Sequence, residues 1–274
     1  MEWKAYLTEI DEAYALPPKE AEARLLQLDS SCRQEYGKDS YTAAAMDNEF
    51  GAFYKGQGRF NEAAARFCRA LALFEATAAP GDPACATTIN NLAGVLRLQG
   101  QTAEAEALFE RALALYEESV GRGHILYAAA LNNLSLVALD RGDLTKAAQL
   151  QAQAIEVLRA LPACRDELAA ALVNLGALLQ NAGKATEAQP LLEEALRMFE
   201  TELGTDTPHY HAALNERGVL RYRSGDYAGA EADFLAAARA AEAMYGMDHY
   251  EAQGARANAQ AARRALEGAK RERS

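Results

Sequence analysis

Proline is scarce in this 274-residue chain, with 7 in all, and runs of β-branched residues are missing. Both absences remove the marks of strands and leave helix as the default. Half of the residues are hydrophobic, and alanine and leucine dominate them, which favours helix throughout. Long apolar runs are also missing. No stretch approaches the roughly 18 uncharged apolar residues of a membrane-spanning helix. The opening Met1-Glu2-Trp3-Lys4 contains no apolar signal core. The expectation is a soluble, cytoplasmic protein with no membrane partner.

Cysteine is limited to Cys32, Cys68, Cys85 and Cys164, with no C-x-x-C spacing and no shared register. That excludes a disulfide framework and leaves the four as expected small core fillers in a reducing compartment. Basic charge is in deficit, with 28 Lys and Arg against 39 Asp and Glu and a net charge of −11. An acidic chain repels phosphate backbones, so nucleic acid is not an expected partner. The C-terminal segment runs the other way, with Arg263, Arg264, Lys270, Arg271 and Arg273. It reads as a solvated helix end that complements the helix dipole. Histidine is limited to His124, His209, His211 and His249. His209-x-His211 with Asp206 is too sparse a donor set for a metal site. There is no G-x-S-x-G, no phosphate-binding glycine loop and no paired catalytic carboxylate set. No enzyme activity, metal or cofactor is expected.

What the chain does have is a rhythm. Gly58, Gly100, Gly142, Gly183 and Gly225 are spaced by 42, 42, 41 and 42 residues. Each closes one helical pattern (helix A) and precedes a second (helix B), and a fixed period of this size marks a stacked helical repeat. One column of helix A is always tiny: Gly51, Ala93, Ser135, Gly176 and Gly218. Another helix is expected to cross closely there. Helix B carries alanine at Ala63, Ala105, Ala147, Ala188 and Ala230, which is the expected small partner column. Larger residues follow four positions on, at Phe67, Phe109, Gln151, Leu192 and Phe234. Alanine returns three later, at Ala70, Ala112, Ala154, Ala195 and Ala237. The short glycine turn makes A and B antiparallel.

The stretch Ile89 to Glu118, INNLAGVLRLQGQTAEAEALFERALALYEE, resembles a whole unit of the tetratricopeptide repeat, whose usual length is about 34 residues. The longer unit here looks most like that of kinesin light chains and related bacterial proteins. The connections Leu203-Gly204-Thr205-Asp206-Thr207-Pro208-His209 and Tyr245-Gly246-Met247-Asp248-His249 are similar to that family's linker. Val173, Gln151 and Arg221 depart from its pattern. The resemblance implies an all-α, right-handed superhelix of antiparallel helix pairs, an α-solenoid. Its expected divisions are a degenerate capping pair at 1–40, five units at 41–82, 83–124, 125–165, 166–207 and 208–249, and a capping helix with basic tail at 250–274.

In such a superhelix the A helices line a concave groove. The inner pair of each A helix reads Asn48/Glu49, Asn90/Asn91, Asn132/Asn133, Val173/Asn174 and Asn215/Glu216, with Asn258 at the same register of the last helix. Asparagine is a poor helix former, so repeating it mid-helix points to another use of the amide. An amide both donates and accepts, so it can grip a peptide main chain, which is the role the resemblance implies. The alternative is a bond between neighbouring A helices that fixes their stagger. One turn further on lie Lys55, Arg97, Asp140, Gln180, Asn181, Tyr222 and Arg223, where Lys55, Arg97 and Arg223 are candidate holders of ligand carboxylates. The expected function is a scaffold that binds a partner protein or an extended peptide in the groove. Two alternatives stay open. One is an intracellular sensor of short signalling peptides without a DNA-binding domain. The other is a structural homo-oligomer joined through terminal helices or the convex face.

Overall fold

The structure, a computed structural model, describes residues 3–272; Arg273 of the basic tail lies outside them. The described residues form thirteen α-helices and one short π segment. The chain divides into two compact units, Met1–Arg141 and Gly142–Ser274.

The first unit holds α1 (Trp3–Tyr14), α2 (Pro18–Tyr36), α3 (Tyr41–Gly56), α4 (Phe60–Thr77), α5 (Ala84–Leu98), α6 (Thr102–Ser119) and α7 (Ile125–Asp140). Each helix packs on the next, and α3, α5 and α7 also touch in sequence. The second unit holds α8 (Leu144–Arg159), α9 (Arg165–Asn181), α10 (Ala185–Met198) with its π extension Phe199–Leu203, α11 (Pro208–Arg223), α12 (Tyr227–Tyr245) and α13 (Tyr250–Glu272). There α11 and α12 pack together, and α12 packs on α13.

The turns follow from the glycines. Gly58 has φ +71° and Gly225 φ +88°, the left-handed conformation that ends a helix without a Cβ clash. The residue after each glycine reaches back across the turn: Arg59 N donates to Tyr54 O at 2.9 Å and Asp226 N to Arg221 O at 2.9 Å. These bonds satisfy carbonyls the helix end leaves open. Helix starts carry side-chain caps, as where Ser40 Oγ accepts from Ala43 N at 3.1 Å and Thr207 Oγ1 from Tyr210 N at 3.2 Å.

At the three glycines of the tiny column, the large residue of helix B lies closest. A Cβ at Gly51 would stand 2.5 Å from Phe67 Cε1, one at Gly176 2.7 Å from Leu192 Cδ2, and one at Gly218 2.7 Å from Phe234 Cε1. The physical reason is volume: two facing small residues leave a void, whereas one ring over a glycine fills it. The alanine columns are buried as well.

Two buried ion clusters had no signature in the sequence. Asp47 on α3 is fully buried and accepts from Arg33 Nη2 of α2 at 2.8 Å and from Arg66 and Arg69 of α4 at 2.7 Å each. Asp233 on α12 is 4% exposed and takes a two-pronged contact from Arg217 of α11 at 2.9 and 2.7 Å. Each ties a helix A to a helix B by charge-assisted bonds. The cysteines depart from the core-filler expectation in part: all four are free, Cys32 and Cys164 are buried, and Cys68 is exposed.

Two glycines separate close packing from flexibility. Gly218→Ala is expected to lower stability by about 1–3 kcal/mol, because the ring of Phe234 blocks the methyl group. At Gly94 the nearest atom is the mobile end of Lys55, 3.3 Å away. Gly94→Ala is therefore expected to be neutral or to add up to about 1 kcal/mol through helix propensity. Urea melts of the two variants check the contrast.

Candidate functional site

The A helices present asparagine in two adjacent columns, and the columns bond to each other from one A helix to the next. Asn91 Nδ2 donates to Asn48 Oδ1 at 3.2 Å, Asn133 Nδ2 to Asn90 Oδ1 at 3.2 Å, and Asn258 Nδ2 to Asn215 Oδ1 at 3.1 Å. In every case the second-column residue is the donor and the first-column residue of the preceding helix is the acceptor. Thr88 Oγ1 adds a longer contact to Asn48 Oδ1 at 3.4 Å. All of the ladder, Asn132 and Asn174 included, is half-buried except Asn258, which is exposed.

These bonds commit only part of each amide. A side-chain amide has two N–H donors and a carbonyl with two lone pairs. The pair Asn133–Asn90 uses one N–H of Asn133 and one lone pair of Asn90. The NH2 of Asn90 and the carbonyl of Asn133 are not consumed by it. The bond therefore fixes the two amides side by side, with one donor and one acceptor aligned along the face.

The departure at Val173 has a structural consequence. Val173 is buried and offers no acceptor, and the second-column residue of the following A helix is Glu216 rather than asparagine. Glu216 instead accepts from Gln180 Nε2 at 2.6 Å, and Arg223 Nη1 donates to the Gln180 main-chain oxygen at 3.1 Å. The buried Gln180 Oε1 has no hydrogen-bond partner. Glu49, the other second-column glutamate, accepts from the hydroxyl of Tyr14 at its main-chain oxygen, 2.9 Å away. Burial pushes both Glu49 and Glu216 above the usual carboxylate range, and the Arg223 charge works against that shift at Glu216.

The second turn is only partly as expected. Arg97 Nη1 donates to Asp140 Oδ2 at 2.8 Å, bridging α5 and α7. Lys55 is half-buried, and desolvation with the nearby Arg97 charge pushes its ammonium pKa down. Gln180 joins the face, whereas Asn181 is exposed at the end of α9. Tyr222 and Arg223 are exposed, with Tyr222 set edge-on against Tyr227. Tyr14 beside Glu49 in the first unit, and Glu251 beside His211 in the second, were not picked out from the sequence. The only hint was that Tyr14 precedes Glu49 by 35 residues and Glu251 follows the linker word, a spacing visible only once the helices are stacked.

With this geometry in view, the comparisons with known proteins can be placed. A model of the tetratricopeptide repeat matches residues 41–118, 84–160 and 167–243, well over half of the chain. The chain belongs to the tetratricopeptide repeat family. Among solved structures, this repeat protein is similar to BtubC (BKLC) from P. vanneervenii, with TM-score 0.66 and 19% identity over 89% of this chain and 91% of that one. It is similar to a kinesin light chain protein of Podosopora anserina with nearly identical TPR-like repeats, at TM-score 0.60 and 20% identity over 73% of this chain and 95% of that one. It is also similar to the apo form of RapI, at TM-score 0.62 and 14% identity over 98% and 100% of the two chains. Likeness at such identities shows the fold. No curated protein matches the sequence. Among the described residues, no helix is long and apolar enough to cross a membrane, and no group of three His, Cys, Asp or Glu is placed to hold a metal ion.

The histidine of this face sets a pH dependence. His211 is 6% exposed, and burial pushes its pKa below the ordinary 6.5. The unfolded chain therefore binds a proton that the folded one resists. Stability from this group is full above about pH 7 and is lost as pH falls through 6.5 towards the folded value. Thermal melts between pH 7.5 and 5.5 are expected to show this decline, and His211→Gln to flatten it.

Proposed function

We propose that this protein is a binding scaffold that holds an extended peptide segment of a partner along the asparagine-bearing face of its A helices. The tetratricopeptide repeat fold supports a role in protein–protein interaction, and the finer reading rests on the amide pairs. The single observation that carries it is the committed half of each pair: Asn91 to Asn48, Asn133 to Asn90, Asn258 to Asn215. An amide already oriented by a neighbour loses less freedom when it meets a ligand. A donor and an acceptor held side by side match the N–H and C=O of an extended main chain. The structural use of asparagine and its binding use are then one arrangement: in the Asn133–Asn90 pair the interhelix bond aims the half it leaves uncommitted, whereas Asn48 and Asn215 also bond to Glu49 and Glu216.

The reading needs no catalytic group, metal or cofactor. It leaves specificity to what stands beside the ladder. In the first unit that is the Lys55 and Arg97–Asp140 region; in the second it is Gln180, Glu216, Tyr222 and Arg223.

The test is selection of a displayed library of random peptides on the wild type, followed by measurement of the winners on a variant with Asn90, Asn91, Asn132 and Asn133 all changed to Ala. Loss of each interhelix bond is expected to lower stability by about 1 kcal/mol, so the melt must confirm a folded variant. Binding is expected to weaken by about tenfold or more, one charge-free hydrogen bond or two. Peptides that bind the folded variant as tightly as the wild type contradict the reading.

A further inference from the structure

Between α11 and α13 lies a cavity of about 280 Å3, bordered by His211, Asn215, Glu216, Tyr250, Glu251 and Asn258. The second unit's asparagine pair, Asn215–Asn258, forms part of its wall. No lysine or arginine lines it.

Its most unusual member is His211. The imidazole is 6% exposed, and its buried Nε2 makes no hydrogen bond. Glu251 Oε2 stands 3.2 Å from that nitrogen, yet the angle is outside hydrogen-bonding range. The hydroxyl of Tyr250 donates to the other carboxylate oxygen, Glu251 Oε1, at 3.2 Å. A second imidazole, His249, stacks between Tyr245 and Tyr250, and its buried Nδ1 is likewise without a hydrogen bond, 4.0 Å from Glu251 Oε2. Burying such nitrogens without partners costs about 1–3 kcal/mol each, and a ligand that supplies donors removes the penalty.

We propose that this cavity is a subsite for an arginine side chain of the bound peptide, with its guanidinium shared between His211 Nε2 and Glu251 Oε2. This deepens the scaffold reading and rests on it. The chemistry selects the group. Two acceptors lie side by side, and a guanidinium presents paired, parallel N–H donors in a rigid fork that suits such a pair. Burial lowers the His211 pKa and keeps the ring neutral at neutral pH, so the Glu251 charge is not cancelled from within, and the tautomer protonated on Nδ1 offers Nε2 as an acceptor. Glu216, on the other side of the cavity, adds negative potential, although Gln180 and Arg223 engage part of it. The flat rings of Tyr250 and Tyr245 stand by, and a guanidinium stacks well on such faces. A lysine ammonium is a point charge and satisfies the two adjacent acceptors less well.

The probes are short capped peptides that differ at one position: arginine, lysine or citrulline, the last an uncharged replica of arginine. Binding is read from the imidazole resonances of His211 in the full-length protein. The arginine peptide is expected to shift the His211 signals saturably, to bind more tightly than the lysine peptide, and to exceed the citrulline peptide by about tenfold. Glu251→Gln and, separately, His211→Phe are expected to erase the preference for arginine, with the melt showing that each is folded. A separate variant, Asn174→Ala on α9 of the same unit and outside the cavity lining, is expected to weaken all three peptides while keeping their order. If His211 does not respond to the arginine peptide, or responds equally to citrulline, the subsite is wrong, whatever the asparagine variant does. If the order survives but the asparagine variant binds all peptides normally, the subsite stands and the amide grip fails.

Discussion

The structure depends on one repeated contact: a large side chain of helix B lying across a residue of helix A that has no room for a methyl group. Phe67 over Gly51, Leu192 over Gly176 and Phe234 over Gly218 are its clearest cases. An aromatic ring or isobutyl group in van der Waals contact with bare backbone brings the two helices close and fixes their rotation. That rotation decides which side of helix A is left over. Three residues before the tiny position comes the first asparagine column, and two before it the second. The direction of both columns is therefore set by how the tiny position packs on the same helix.

The amide pairs add a second constraint. Each asparagine sacrifices helix propensity, a few tenths of a kcal/mol, and regains it through a bond to the next A helix. The bond joins residues 43 apart in sequence, one more than the common repeat interval, and so it fixes the stagger between neighbours. Where the first column becomes Val173, Gln180 takes over two turns further on and draws in Glu216 and Arg223. Charged groups stand beside the amides in both units: Lys55, Arg97 and Asp140 in the first, Glu216 and Arg223 in the second. Amides suit the main chain, and the charged groups beside them suit side chains.

Much of the fold was legible because the signals are local and repeated. The glycine rhythm, the tiny column and the lack of β-branched runs each point to paired helices, and five copies make the pattern hard to miss. The asparagine columns were legible for the same reason. Their mutual bonds were not, because register alone cannot say whether an amide faces a neighbour or open space. That the large residue of helix B lies closest to Gly51, Gly176 and Gly218 was not legible, since register alone does not say which of two buried columns comes nearer. The Asp47 and Asp233 clusters were hidden because each aspartate lies on a different helix from its arginines, and the helices meet only in the fold. His211 was seen without Glu251, as they lie 40 residues apart and meet only when α13 stacks against α11.

The central claim is that side-chain amides grip a peptide main chain. An N-methyl scan of a selected peptide tests it most directly, because methylation removes one main-chain donor and leaves the side chains unchanged. The account predicts loss of about tenfold or more at alternate positions along the peptide, where successive N–H groups of an extended chain point to the ladder. A flat scan, with affinity carried by side chains alone, would contradict it.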